Sequence, residues 1–153
     1  MHIILLQHNP VPGDFRGNAH KLADMAVKAA AAHPAAPGER TLCITPAYAL
    51  AGVPWEPLKH IGGFYRRCRD AAHELAEMLA DGPDMLISLT GAEVPLYVLL
   101  SKGNLIALAR QSNGVIRIPE GPALYLPETE PAWAHQEALG LLKSAKAAAS
   151  VDA

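Results

Sequence analysis

Residues 41–58 read TLCITPAYALAGVPWEPL. The first four, Thr41 to Ile44, are an apolar run of the length and kind that makes a short strand. The remainder carries Pro46, Pro54 and Pro57, which exclude a continuing helix and a central strand alike. The stretch is therefore a strand that runs out into an ordered loop. In α/β sheets, sites are built outside the carboxyl ends of strands, which is where this loop falls. Tyr48, Leu50, Val53 and Trp55 make it apolar enough to pack against something, and its one charged side chain is Glu56. The position is that of a site, while the chemistry of one is missing.

Working outward, the pattern is that of alternating strands and helices. His2 to Gln7 is a continuous apolar run that reads as a first strand buried on both faces. A turn-rich loop from His8 to Gly17 follows, and Asn18 reads as the N-cap of a helix over Ala19 to Ala32. Leu22, Met25, Ala26, Ala29 and Ala30 give that helix a buried stripe. After the proline-rich loop, a second helix starts at Ile61 or Phe64 and runs to Ala80. Phe64, Cys68, Ala71, Ala72, Leu75, Met78 and Leu79 line one face and Arg66, Arg67, Asp70, Glu74 and Glu77 the other. Gly82-Pro83 ends it. A third strand covers Met85 to Leu89, and two more cover Pro95 to Ser101 and Leu105 to Gln111, joined by a tight turn at Lys102-Gly103-Asn104. Val115 to Ile118 and Ala123 to Leu126 are short extended segments, and a last helix lies within 128–149. The fold class is α/β, a layered mixed sheet with covering helices, organised as a single domain over 1–153.

Bulk properties narrow the function. With 153 residues, half of them apolar, the chain can bury an ordinary core. A formal charge of −2 and no basic stripe argue against a nucleic-acid partner. Two distant cysteines, Cys43 and Cys68, form no disulfide framework and no zinc spacing, so a reducing cytoplasmic setting is expected. The apolar start, Ile3 to Leu6, is too short for a signal peptide or a membrane span. The seven histidines form no ligand pair, so no metal is expected. Gly103 and the other glycines form no phosphate-binding pattern.

Several motifs together resemble the nitrilase, or carbon–nitrogen hydrolase, superfamily. Within it they are closest to the N-terminal part of the glutaminase domain of glutamine-dependent NAD synthetases. QHNPVPGDFRGNAHK, Gln7 to Lys21, is similar to that group's first strand and helix start. Thr45-Pro-Ala-Tyr-Ala-Leu-Ala-Gly-Val-Pro resembles its Phe-Pro-Glu-x-x-x-x-Gly-Tyr-Pro loop. ADGPDMLISL, Ala80 to Leu89, resembles the approach to its third strand, and LYVLLSKGNLIALARQ, Leu96 to Gln111, its next hairpin. The resemblance covers about residues 1–112 and implies the N-terminal half of an α-β-β-α sandwich.

The family's chemistry uses a Cys nucleophile, a Glu general base and a Lys that steadies the tetrahedral intermediate. The resemblance puts Ala47 at the Glu position and Ser112 at the Lys position, and no cysteine follows Cys68. The implied reading is a catalytically vacant relative with no catalytic residues and no cofactor, acting as a binding or protein-interaction module. Tyr48, Trp55, Glu56 and Glu93 are the residues left to line a vestigial pocket. Cys43, between Leu42 and Ile44, and Cys68, on the apolar helix face, read as core residues rather than nucleophiles. A half sandwich would leave one sheet face apolar, so a homodimer is expected, or else a final helix folded back over that face, with an NAD synthetase or other protein as a further partner. The alternative is an amide hydrolase or glutaminase subunit whose missing residues come from a partner chain.

Overall fold

The computed structural model describes residues 1–52, 62–89, 96–111 and 114–125. They fall into two compact units, 1–108 and 109–153. The helix expected within 128–149 lies outside the described residues.

The first unit is a five-stranded sheet with two helices. The strands are β1 (His2–Leu5), β2 (Thr41–Ile44), β3 (Asp84–Leu89), β4 (Leu96–Ser101) and β5 (Asn104–Leu108), and they lie in the order β1-β2-β3-β4-β5. The first three are parallel, and β4 and β5 are antiparallel additions. Parallel neighbours need crossovers, which α1 (Phe15–Ala32) and α2 (Phe64–Met78) supply. The β4–β5 hairpin turns on Lys102 (φ 50°) and Gly103 (φ 76°). Two successive positive φ values are the type I′ geometry whose twist matches the strands it joins. The mixed α/β sheet with covering helices is thus the architecture present.

Both helices pack on the same face. Leu22, Ala26, Phe64, Cys68, Leu75, Met85, Ile87, Val98 and Leu100 belong to one buried cluster. Each leucine-sized side chain fully withdrawn from water contributes about 1.5–3 kcal/mol, so this layer supplies most of the unit's driving force. The alternate residues Leu42, Leu86 and Leu99 are buried as well, but they point to the opposite face and stand outside that cluster. Strand register places Leu5, Ile44, Leu86, Leu99 and Ile106 in one apolar row across that second face.

Two expectations are corrected. β1 is an edge strand and is not buried on both faces: Leu5 is 73% exposed and Ile3 43%. A continuous apolar run signals two covered faces only when the strand has neighbours on both sides. Helix α1 starts at Phe15, one turn earlier than the Asn18 cap implies, because Asp14 Oδ1 accepts from Gly17 N at 3.0 Å and serves as the cap. On α2, Glu74 pairs across to Arg16 of α1 at 2.9 Å and lies 3.2 Å from His20, which ties the two helices together on their outer side.

In the second unit, β6 (Val115–Arg117) and β7 (Ala123–Tyr125) form an antiparallel pair, with Ile116 fully buried.

Candidate functional site

The carboxyl ends of β1 and β2 carry two loops that are stitched together. The first runs from β1 to the start of α1 and the second follows β2 from Thr45 to Gly52. Gly13 N donates to Ala51 O at 2.9 Å, and His8 Nε2 lies 3.2 Å from Ala49 O. Asn18, only 2% exposed, completes the join. Its Oδ1 accepts from Val11 N (2.9 Å), and its Nδ2 donates to Val11 O and to Leu50 O (2.8 Å each). A buried amide that satisfies three backbone groups fixes both loops at once, since leaving any of them unpaired would cost about 1–3 kcal/mol.

Close approach finishes the construction. Gly52 has φ +71°, and a Cβ there would stand 2.6 Å from Pro12 Cα. Only glycine fits, both for conformation and for space. Tyr48 also adopts a positive φ, 59°, and its carbonyl accepts from Gly52 N at 2.8 Å. A non-glycine residue in that region stores about 1–2 kcal/mol of backbone strain, of the kind that clusters at sites. Ala49, Leu50 and Ala51 are buried in the helix-side core and seat the loop. Ala47 and Pro46 are exposed at its tip, and Tyr48 is half-buried. What the loop presents at the sheet's carboxyl edge is therefore a methyl group and a phenol, with no charged group.

Of the residues singled out in the sequence, Ala47 and Tyr48 are on this loop. Trp55, Glu56, Glu93 and Ser112 lie outside the described residues. Cys43 and Cys68 are both buried, at 0% and 1% exposure, and belong to the core between sheet and helices. Burial pushes the Cys43 thiol up to about 11, so it carries almost no thiolate at neutral pH. Among the described residues, no group of three or more His, Cys, Asp or Glu could hold a metal ion.

Two contributors were missed in the sequence. Asn18 has the residue type of a cap, yet it occupies the buried stripe with Phe15, Ala19, Leu22 and Ala26. A polar residue at i+3 and i−4 of apolar core positions was the available signal. His8 had no signal of its own, because its role depends on a carbonyl 41 residues away.

A separate cleft lies elsewhere in the first unit. It has a volume of about 740 Å³ and sits at the amino ends of β2 and β3, by the ends of α1 and α2. Its charged lining comprises Glu39, Arg40, Glu77, Asp81, Asp84 and Lys102. Within it, Arg40 Nε donates to the nine-tenths buried Asp84 Oδ2 at 2.9 Å, and Glu39 pairs with the terminal amine at 3.0 Å. These pairs hold the bottom of the sheet together, and the cleft has no relation to the loop pair.

Solved structures settle the architecture. A glutamine-dependent NAD(+) synthetase from Cytophaga hutchinsonii matches 74% of this chain and 20% of its own length at 17% identity, with a TM-score of 0.53. An amidase from Nesterenkonia sp. matches 86% of this chain and 49% of its own at 21% identity and a TM-score of 0.55. The chain carries a partial nitrilase fold. A variant of the same amidase, described as belonging to the nitrilase superfamily, matches at 22% identity over half its length. Another captures Michael addition of acrylamide at that amidase's active-site cysteine. The nitrilase-fold portion here thus spans about half of each amidase and a fifth of the synthetase. No protein-family model matches the chain, and no curated protein matches it. Among the described residues, no helix is long and apolar enough to cross a membrane.

Proposed function

We propose that this chain acts by binding, as a nitrilase-fold module without hydrolytic chemistry of its own. The observation that carries the reading is Ala47. It stands at the exposed tip of the loop after β2, where the resemblance to nitrilases would have a general base. A methyl group can neither accept nor deliver a proton. The two cysteines support the same reading, since both are packed in the core between sheet and helices. The loop itself is retained, with Asn18, Gly52 and the buried Ala49, Leu50 and Ala51 keeping its form. The pocket class suggested by Tyr48, with Trp55, Glu56 and Glu93, is aromatic and weakly acidic. Homodimerisation, and contact with an NAD synthetase or similar enzyme, are the partner readings that accompany it.

The direct test is ammonia release. Purified protein incubated with glutamine and with simple aliphatic amides is expected to stay at the background rate. Release that co-purifies with the chain and is lost on alkylation of its cysteines would overturn the proposal.

A second reading has one observation in its favour. The chain spans about half of each amidase it resembles. A separate chain could then supply the nucleophile, making this an amide hydrolase or glutaminase subunit. That reading expects hydrolysis only when a second, cysteine-bearing chain is added.

A further inference from the structure

Among the described residues, three hydrogen bonds join the second loop to the first loop and the start of α1, and one of them uses a histidine ring. The bonds from Gly13 N to Ala51 O and from Asn18 Nδ2 to Leu50 O are indifferent to pH. The third joins His8 Nε2 and Ala49 O at 3.2 Å. A carbonyl only accepts, so Nε2 carries the proton and the neutral ring leaves Nδ1 as a bare acceptor. Nδ1 is buried and, among the described residues, has no hydrogen-bond partner. Protonating the ring puts a charged N–H where no described residue accepts it, which is the costly case for a buried donor.

The surroundings do not relieve that cost. Lys21, on α1, acts on the ring as a like charge. The Thr45–Gly52 loop has no carboxylate, and Tyr48 is its one titratable side chain. The first loop brings Asp14, whose Oδ1 is engaged by Gly17 N. We propose that His8 is a pH-operated latch on the loop that carries Ala47 and Tyr48: the neutral ring holds the loop against the first loop, and the protonated ring lets it go. Burial and Lys21 lower the ring's affinity for a proton below its ordinary value of 6.5, against a smaller opposing effect of Ala49. The latched state therefore has its full advantage above pH 6.5 and loses it as the pH falls below that value. The latch operates whether or not the loop meets a partner, so its failure would leave the binding reading untouched.

Hydrogen exchange read by NMR tests this on the intact chain. The amides of Gly13 and Gly52 report the loop, and those of β3 and β4 report the core. Exchange is corrected for its intrinsic pH dependence and followed from about pH 7.5 to about pH 5, across the histidine range. Loop protection is expected to fall by about tenfold for each pKa unit that separates the latched from the released ring. The fall should begin near the released ring's ordinary value and level off below the midpoint of the His8 ring signals, with core protection unchanged. In His8→Gln, whose side-chain amide can still donate to Ala49 O but does not titrate, loop protection should be flat. Loop amides that are flat in the wild type, or that respond equally in His8→Gln, or that move in step with the core, would overturn the latch. If His8→Gln fails to fold, the wild type decides: loop protection that keeps falling well below the His8 ring midpoint counts against it.

Discussion

Asn18 shows how much one side chain can organise. Its amide satisfies both polar groups of Val11 and the carbonyl of Leu50 from inside the core, so it ties the first loop, the second loop and α1 together. Asn18→Ala removes all three bonds and strands buried backbone groups. We expect a loss of about 2–4 kcal/mol in urea unfolding, well above the roughly 1 kcal/mol of a lost helix cap. A loss near 1 kcal/mol would mean that Asn18 is only a cap after all. At this scale the sequence was partly legible. Ala47 could be placed by the motif around it, and both cysteines by their apolar neighbours. The role of His8 could not, because burial of one ring nitrogen is a property of the packed loops and of no local pattern.

At the scale of elements, most of the order was readable because each element's signal is local. The apolar stripe of α2 and the Lys102-Gly103 turn both depend on residues within a few positions. Gly103→Val tests the turn: a β-branched residue at φ +76° should cost about 2 kcal/mol, read as a shift in the urea midpoint. An unchanged midpoint would show that the turn has another conformation. Boundaries were less legible. Asp14 and Asn18 are both good capping residues, and which one caps depends on which can be pulled into the core. The edge position of β1 was hidden for a related reason. Apolar content tells how much a strand could bury, whereas its neighbours decide how much it does.

At the scale of the whole molecule, the row Leu5, Ile44, Leu86, Leu99 and Ile106 on the face away from α1 and α2 is the feature with the widest consequence. Its two margins are open, with Leu5 73% and Ile106 38% exposed. Apolar margins of this kind favour association through the sheet. The homodimer proposal is tested by light scattering. The wild type is expected at twice the chain mass, and Leu5→Glu is expected to weaken the dimer at least about tenfold, the effect of losing one buried leucine per chain. A wild type that stays monomeric at high concentration would sink it.

The sequence by itself determined the alternation of strands and helices, the turn that joins β4 to β5, the face that α2 buries and the loop that follows β2. All of these follow from periodicities and turn residues that act over a few positions. The tertiary structure alone decided that β1 is an edge, that Asn18 is a buried bridge, that His8 meets Ala49 and that Gly52 is wedged against Pro12. Each of those joins residues far apart in the chain, and only the closing of the sheet and its helices brings them within reach.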